Sequence, residues 1–234
     1  MFAKLFDPEK TLEALEIIKS QFLISTWETV YVTLLATAFA CVIGLPLGIL
    51  LVIGEEGGIK PLPKAFMKAL NLVINILRSV PFLILMILVF PLTRLICGTV
   101  VGTFPTVVPL VIAAFPFVAR LVESSIREVN PNTIEMAQSL GATTFQIVVK
   151  VLIPESVPSL LSNLTIATTT ILGYTAMSGI IGGGGLGKIA INYGYYRYKT
   201  LVMIAAVVLL VVLVQVLQGL GTRFAIKLNR KIKK

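Results

Sequence analysis

The sequence predicts an all-α integral membrane protein with five transmembrane helices per subunit, and three observations carry that prediction. Of its 234 residues, 56% are hydrophobic and 13% are charged, where soluble domains carry roughly a quarter charged residues. Mean hydropathy is +0.95. Five apolar runs are long enough to cross a bilayer, which takes about 20 mostly apolar residues. A soluble fold could not cover that much apolar surface.

Taken in order, residues 1–26 are expected to form an N-terminal segment. Asp7, Glu9, Lys10, Glu13, Glu16 and Lys19 fall within it. It lacks the succession of basic region, apolar core and small-residue cleavage site, so no cleavable signal is expected. Leu12, Leu15, Ile18 and Phe22 recur at helical spacing, which suggests a short interfacial helix. A transmembrane domain over 27–222 follows, with spans at Val30–Ile53, Leu70–Leu92, Phe104–Val122, Val157–Ile181 and Leu201–Leu220. Gly44 and Gly48 form a GxxxG beside Pro46, a spacing that lets helix backbones approach. Arg78, Ser79 and Pro81 interrupt the second span, which is expected to kink or break there. A polar loop occupies 123–156, and a basic tail occupies 223–234. Cys41 and Cys97 lie in or beside apolar runs and read as packing residues, with no disulfide or metal site implied.

The net charge of +9 raises nucleic acid as a partner, but the basic residues lie between apolar runs and in the tail, without interleaved aromatics. That placement suits anionic lipid at a cytoplasmic membrane face. With the C-terminus inside, the cytoplasmic segments hold thirteen Lys and Arg and the outer ones seven. The positive-inside rule then gives an N-out, C-in orientation. Acids are absent from Gly57 to Val122 and from Ser156 to Lys234. Proton-driven carriers need titratable relays in the membrane, and sodium sites commonly use carboxylates. Their absence here favours energy supplied from elsewhere, or a passive channel. A symmetric pair would double the helices around a two-fold axis.

The loop between the third and fourth spans is the most informative stretch. Asn130 is a good N-cap and Pro131 suits the first helical position. A short helix should run to Leu140, and Gly141 can take the left-handed conformation that ends it. Thr143 or Thr144 can cap a second helix, which should stop before Pro154. Ile134, Ala137 and Leu140 share a face, with Phe145 just beyond, and an apolar face on such a loop needs a partner.

Glu135-Met136-Ala137, then Gly141, then Val151 and Ile153-Pro154 resemble the EAA loop of ATP-binding-cassette importer permeases: EAA, three residues, Gly, nine residues, I-x-L-P. Glu135, Ala137, Gly141 and Pro154 match; Met136, Val151 and Ile153 depart from it. The resemblance implies a coupling helix that docks on an ATPase subunit. The chain beyond its N-terminal segment resembles the methionine-importer branch, through Asn75–Phe82, Pro109–Ser125, Gly173–Gly179, Gly182–Gly187 and Tyr193–Tyr198. That likeness implies a homodimer paired with two ATPase subunits and a methionine-binding lipoprotein or periplasmic protein. ATP and magnesium would then sit on the partner, leaving this chain without a cofactor.

Gly182 to Gly187 followed by Lys188 has the spacing of a phosphate-binding loop, but Ile189 stands where Ser or Thr must hold magnesium. A flexible turn is the better reading, with docking of a substrate-delivery protein as its possible use. In the fourth span Asn163, Thr170, Tyr174 and Met177 fall at helical spacing, with Ser178 alongside. Such a polar face should turn inward, either to hydrogen-bond another helix or to line a translocation path. The resemblance favours Tyr174 and Met177 as a closing gate. Arg120 is expected to snorkel to headgroups, whereas Arg78 could satisfy carbonyls freed by the break. With no histidine, paired carboxylates or metal cluster, no catalytic residue is expected. The reading is a methionine permease subunit working by alternating access. The alternatives are a permease for another amino acid or a quaternary amine, an ATP-independent homo-oligomeric channel, and a membrane anchoring protein.

Overall fold

The computed structural model describes residues 8–228, and among these the regular secondary structure is all helical, without strands. The helices are α1 (Pro8–Ile53), α2 (Lys64–Ser79), α3 (Phe82–Leu88), α4 (Phe90–Cys97), α5 (Val107–Arg127), α6 (Pro131–Ser139), α7 (Thr144–Ile147), α8 (Ile153–Ser178), α9 (Gly185–Ile189) and α10 (Thr200–Leu228). Four continuous helical stretches are long and apolar enough to cross a membrane; the pair α2 and α3, bent by 109° at its break, makes a fifth when counted as one span. Lys4 and the tail residues Arg230, Lys231, Lys233 and Lys234 lie outside the described residues.

The second span breaks at Val80 and Pro81, where the sequence placed the interruption. Proline lacks an N–H and its ring crowds the preceding turn. Arg78, which could satisfy the freed carbonyls, is exposed. The Ser79 hydroxyl donates back to the Asn75 carbonyl at 2.8 Å. The residues after the break form α3 and then α4, which ends at a left-handed Gly98.

The residues expected as a separate interfacial helix are the first half of α1, which runs unbroken for 46 residues. Ala14 and Phe22 are buried while Leu12 and Leu15 are exposed.

The chain divides into two compact units. The first comprises the early part of α1, the stretch 82–111, and 168–217. Its core packs Ala14 and Phe22 of α1 against Leu186 and Ile189 of α9 and Val202 and Ala206 of α10. Polar contacts fasten the same face: the Gln21 amide donates to the Tyr193 hydroxyl at 2.9 Å, and Lys199 pairs with Glu13 at 2.7 Å.

Among the described residues, the second unit comprises 38–81, 112–167 and 218–228. Its core joins Leu51 of α1, Met67 and Ile74 of α2, and Ala119 of α5. Here the GxxxG pair does its packing. A Cβ on Gly44 would lie 2.7 Å from the Val118 side chain, and one on Gly48 would lie 2.5 Å from the Ala119 carbonyl. Small residues therefore let α1 and α5 meet backbone to backbone.

Many large apolar side chains point outward, including Leu23 and Leu95 at 82% exposure. On a water-facing surface that would be costly. Against hydrocarbon it is the expected arrangement, because helices satisfy their own backbone groups there.

Candidate functional site

Two regions hold the residues singled out in the sequence. The first is the loop between α5 and α8. Asn130 caps α6 by accepting from the Asn132 N–H at 2.9 Å, and Pro131 takes the first helical position. Gly141 follows with φ +74°, a left-handed backbone with nothing near its missing side chain. Its N–H donates to the Gln138 carbonyl at 2.9 Å, which closes the helix end. Thr143 then starts α7 with a full capping box. Its hydroxyl accepts from the Gln146 N–H at 3.3 Å, and the Gln146 side chain accepts from the Thr143 N–H at 2.8 Å. Two orphan backbone donors are thereby satisfied reciprocally.

Two expectations for this loop change. The second helix does not stop before Pro154. It passes through a π-helical turn at Val148–Leu152 and continues as α8. A wider turn relieves the clash between a proline ring and the carbonyl one turn earlier. The Ser156 hydroxyl donates to the Leu152 carbonyl at 2.7 Å beside it. The exposed apolar edge is also different. Ala137 is buried, and Met136, Leu140 and Phe145 stand out at 59%, 81% and 75% exposure. Glu135 is exposed next to them.

The second region runs along α8. Asn163 donates to the Ser125 hydroxyl at 2.8 Å and to the Leu121 carbonyl at 3.2 Å, so it ties α8 to α5. It also lines a cleft of about 850 Å³ with Ser159, Ser162, Glu128 and Glu155. Of the readings left open for this polar face, the hydrogen bond to another helix is the one made at Asn163. Thr170 is half-buried on the same helix. One turn on, the Tyr174 ring stacks on Phe82, with centroids 4.4 Å apart and planes 5° from parallel. Met177, three residues further, is 46% exposed. Phe82 is a partner the sequence did not single out. Its position directly after Pro81 was the available signal, because the residue that resumes a broken helix is fixed in direction.

The glycine run after α8 is packed rather than flexible. Gly185, Leu186 and Gly187 are buried in α9. A Cβ on Gly179 would collide with the backbone of Gly187 and Lys188, and one on Gly187 with the backbone of Ala176. α1 holds the start of this element. Glu28 accepts from the Gly185 N–H at 2.8 Å and from the Thr103 hydroxyl at 3.0 Å. Thr29 accepts from the Leu186 N–H at 2.9 Å while donating to the Ser25 carbonyl at 2.8 Å. The Gly185 and Leu186 N–H groups are therefore already taken by side chains of α1.

Arg120 does not reach outward to headgroups. Its guanidinium binds Glu123 at 2.7 Å and the side-chain oxygens of Asn71 and Asn75 at 2.8 and 2.9 Å, with 20% of the side chain exposed. Among the described residues, no group of three or more His, Cys, Asp or Glu could hold a metal ion.

Comparison with known proteins agrees with this architecture. Over 200 residues the chain is 48% identical to the probable D-methionine transport system permease protein MetI of Vibrio cholerae, covering 85% of this chain and 88% of that one. It is 43% identical over 208 residues to the protein of the same name from Pasteurella multocida, covering 89% and 95%. Among solved structures, a chain of the inward-facing MetNI methionine ABC transporter superposes with a TM-score of 0.89 at 41% identity, covering 92% of this chain and 99% of that one. Residues 44–229 match the family described as the binding-protein-dependent transport system inner membrane component, and the chain belongs to that family of multi-pass inner-membrane transport proteins.

Proposed function

We propose that this chain is the permease subunit of an ATP-driven importer that carries methionine across the inner membrane by alternating access. The observation that carries the reading is the 48% identity, over most of both chains, to a protein named as a D-methionine permease. In this reading two copies form one central path, and two ATP-binding-cassette subunits bind ATP and magnesium on the cytoplasmic side. A periplasmic protein or lipoprotein delivers the substrate. The orientation is N-out and C-in, with the basic tail facing anionic lipid. The chain works as a transport subunit and leaves ATP hydrolysis to its partner.

The proposed roles rest on the likeness of the loop to the EAA motif and on the polar face of α8. Glu135, Ala137, Gly141 and Pro154 belong to the coupling element. Ala137 seats α6 on its own unit, and the exposed edge of Met136, Leu140 and Phe145 is available to an ATPase groove. Gly141 sets the angle between α6 and α7. Asn163, Thr170, Tyr174 and Met177 line the path, with the stacked Tyr174 and exposed Met177 as its gate. A ring and a thioether exclude water yet move aside without breaking covalent or ionic bonds.

The test is reconstitution with the ATPase and binding protein, reading ATP hydrolysis and uptake of radiolabelled methionine, with Gly141→Pro as control. ATP-dependent uptake that the proline abolishes, while the complex stays assembled, supports function and mechanism together. Uptake of another amino acid or a quaternary amine instead keeps the permease and discards methionine. Flux through this chain alone, without the ATPase, points to a channel and overturns the reading.

A further inference from the structure

We propose that Arg120 is the positioning residue through which movement of the coupling loop reaches α2. The inference rests on the importer reading above and adds a route inside one subunit.

α2 is thinly attached. Of its sixteen residues, only Met67 and Ile74 are buried. Phe66, Leu72, Val73 and Ile76 are exposed. Apolar packing therefore gives α5 a small grip on this helix, through Ala119 beside Met67 and Ile74. The next residue of α5 supplies the rest. One guanidinium nitrogen of Arg120, Nη2, donates both to Asn71 Oδ1 at 2.8 Å and to Asn75 Oδ1 at 2.9 Å. Asn71 and Asn75 stand one turn apart on α2, so a single planar group holds two successive turns.

The other end of the same side chain is tied to the root of the loop. Nη1 of Arg120 donates to Glu123 at 2.7 Å. Glu123 also accepts from Arg127 at 2.9 Å, and Arg127 binds both oxygens of Glu55 at 2.8 and 2.6 Å. Arg127 is the last residue of α5, and Asn130, the cap of α6, follows shortly after. The chain of contacts thus runs from the loop along α5 to α2. From α2 the backbone leads through Val80 and Pro81 to Phe82, the ring that lies on Tyr174.

Arg120 and Arg127 pair with Glu123 and Glu55, and the two asparagines add neutral acceptors for the Arg120 guanidinium. Geometry of this kind distinguishes Arg120 from a lysine, whose compact ammonium lacks the planar fork.

The experiment uses the reconstituted complex with ATPase and binding protein, and reads methionine uptake per ATP hydrolysed. Three variants are compared with wild type: Arg120→Met, Asn71→Ala combined with Asn75→Ala, and Arg120→Lys. The expected result is about a tenfold loss of uptake per ATP in the first two, an effect of the size seen for coupling residues, and a smaller loss in the lysine variant. ATP hydrolysis and ATPase retention on purification stay within about twofold of wild type. The double asparagine variant leaves every charge in place, so agreement with Arg120→Met assigns the effect to the link with α2. Unchanged uptake per ATP in both would overturn the proposal. So would parallel loss of uptake, hydrolysis and bound ATPase, which would mean that Arg120 only stabilises the fold. A wild-type complex without ATP-driven uptake would instead overturn the importer reading itself, and this inference with it.

Discussion

Gly141 at the end of α6 and Gly187 inside α9 are glycines for opposite physical reasons. At Gly141 the backbone needs φ +74°, yet a Cβ there would meet nothing within 4 Å. That glycine is present for conformation: left-handed backbone costs other residues about 1–2 kcal/mol. Gly187 lies inside a short helix, and its missing side chain is the space occupied by the Ala176 backbone. It is present for contact. One is an angle set in open surroundings, as a part that docks elsewhere requires. The other is a closed joint, sealed by Glu28 and Thr29 of α1.

The contrast breaks most visibly at the closed joint. Gly187→Val should cost about 3 kcal/mol or more, because overpacking against backbone leaves no side chain to yield. The expected result is loss of monodisperse protein in detergent, or a melting temperature far below wild type. A normal melting curve would show that the joint has slack. Glu28→Ala should cost about 2 kcal/mol, since it strands the Gly185 N–H and the Thr103 hydroxyl in a partly buried place. Thermal unfolding in detergent measures it, with Glu28→Gln expected to recover part of the loss through its remaining acceptor.

How these regions read from sequence differs for the same reason. The loop at Asn130–Gly141 follows local rules, in which caps, proline placement and a left-handed glycine act within a few residues. Those were legible. The burial of Ala137 and the continuation through Pro154 were not, because they depend on what packs against the loop and on a π-helical turn that costs little in context. The glycine run misled because glycine serves both freedom and close approach, and only the Ala176 backbone decides between them. Arg120 misled in a related way. Its acids were visible, since the acid-free stretch of the sequence is bounded by Glu55, Glu56 and Glu123. That Asn71 and Asn75 meet Arg120 across dozens of residues needed the fold.

At the open bend the effects should be smaller on stability and larger on function. Gly141→Ala introduces strain of about 1 kcal/mol without a clash. Expression and melting temperature should stay near wild type while ATP-driven uptake falls severalfold. Equal losses in both would place Gly141 with Gly187 as a packing residue and dissolve the distinction.

The finest test uses Thr143→Ala. Its hydroxyl caps α7 and completes a box with Gln146, at an exposed site. Removing such a cap costs about 1 kcal/mol, and less where the helix is held by its neighbours. Here the neighbour is strong, because α7 continues through the π-helical turn into α8, a helix of 26 residues. Global unfolding should therefore scarcely register the change. Local opening should register it, as faster amide hydrogen exchange at Phe145 and Gln146 with α8 unaffected. Thr143→Ser keeps the oxygen and should restore protection. If protection instead falls along α8 as well, the loop and the span unfold as one unit. Gly141 would then be a hinge inside a cooperative element and not the corner of a rigid one.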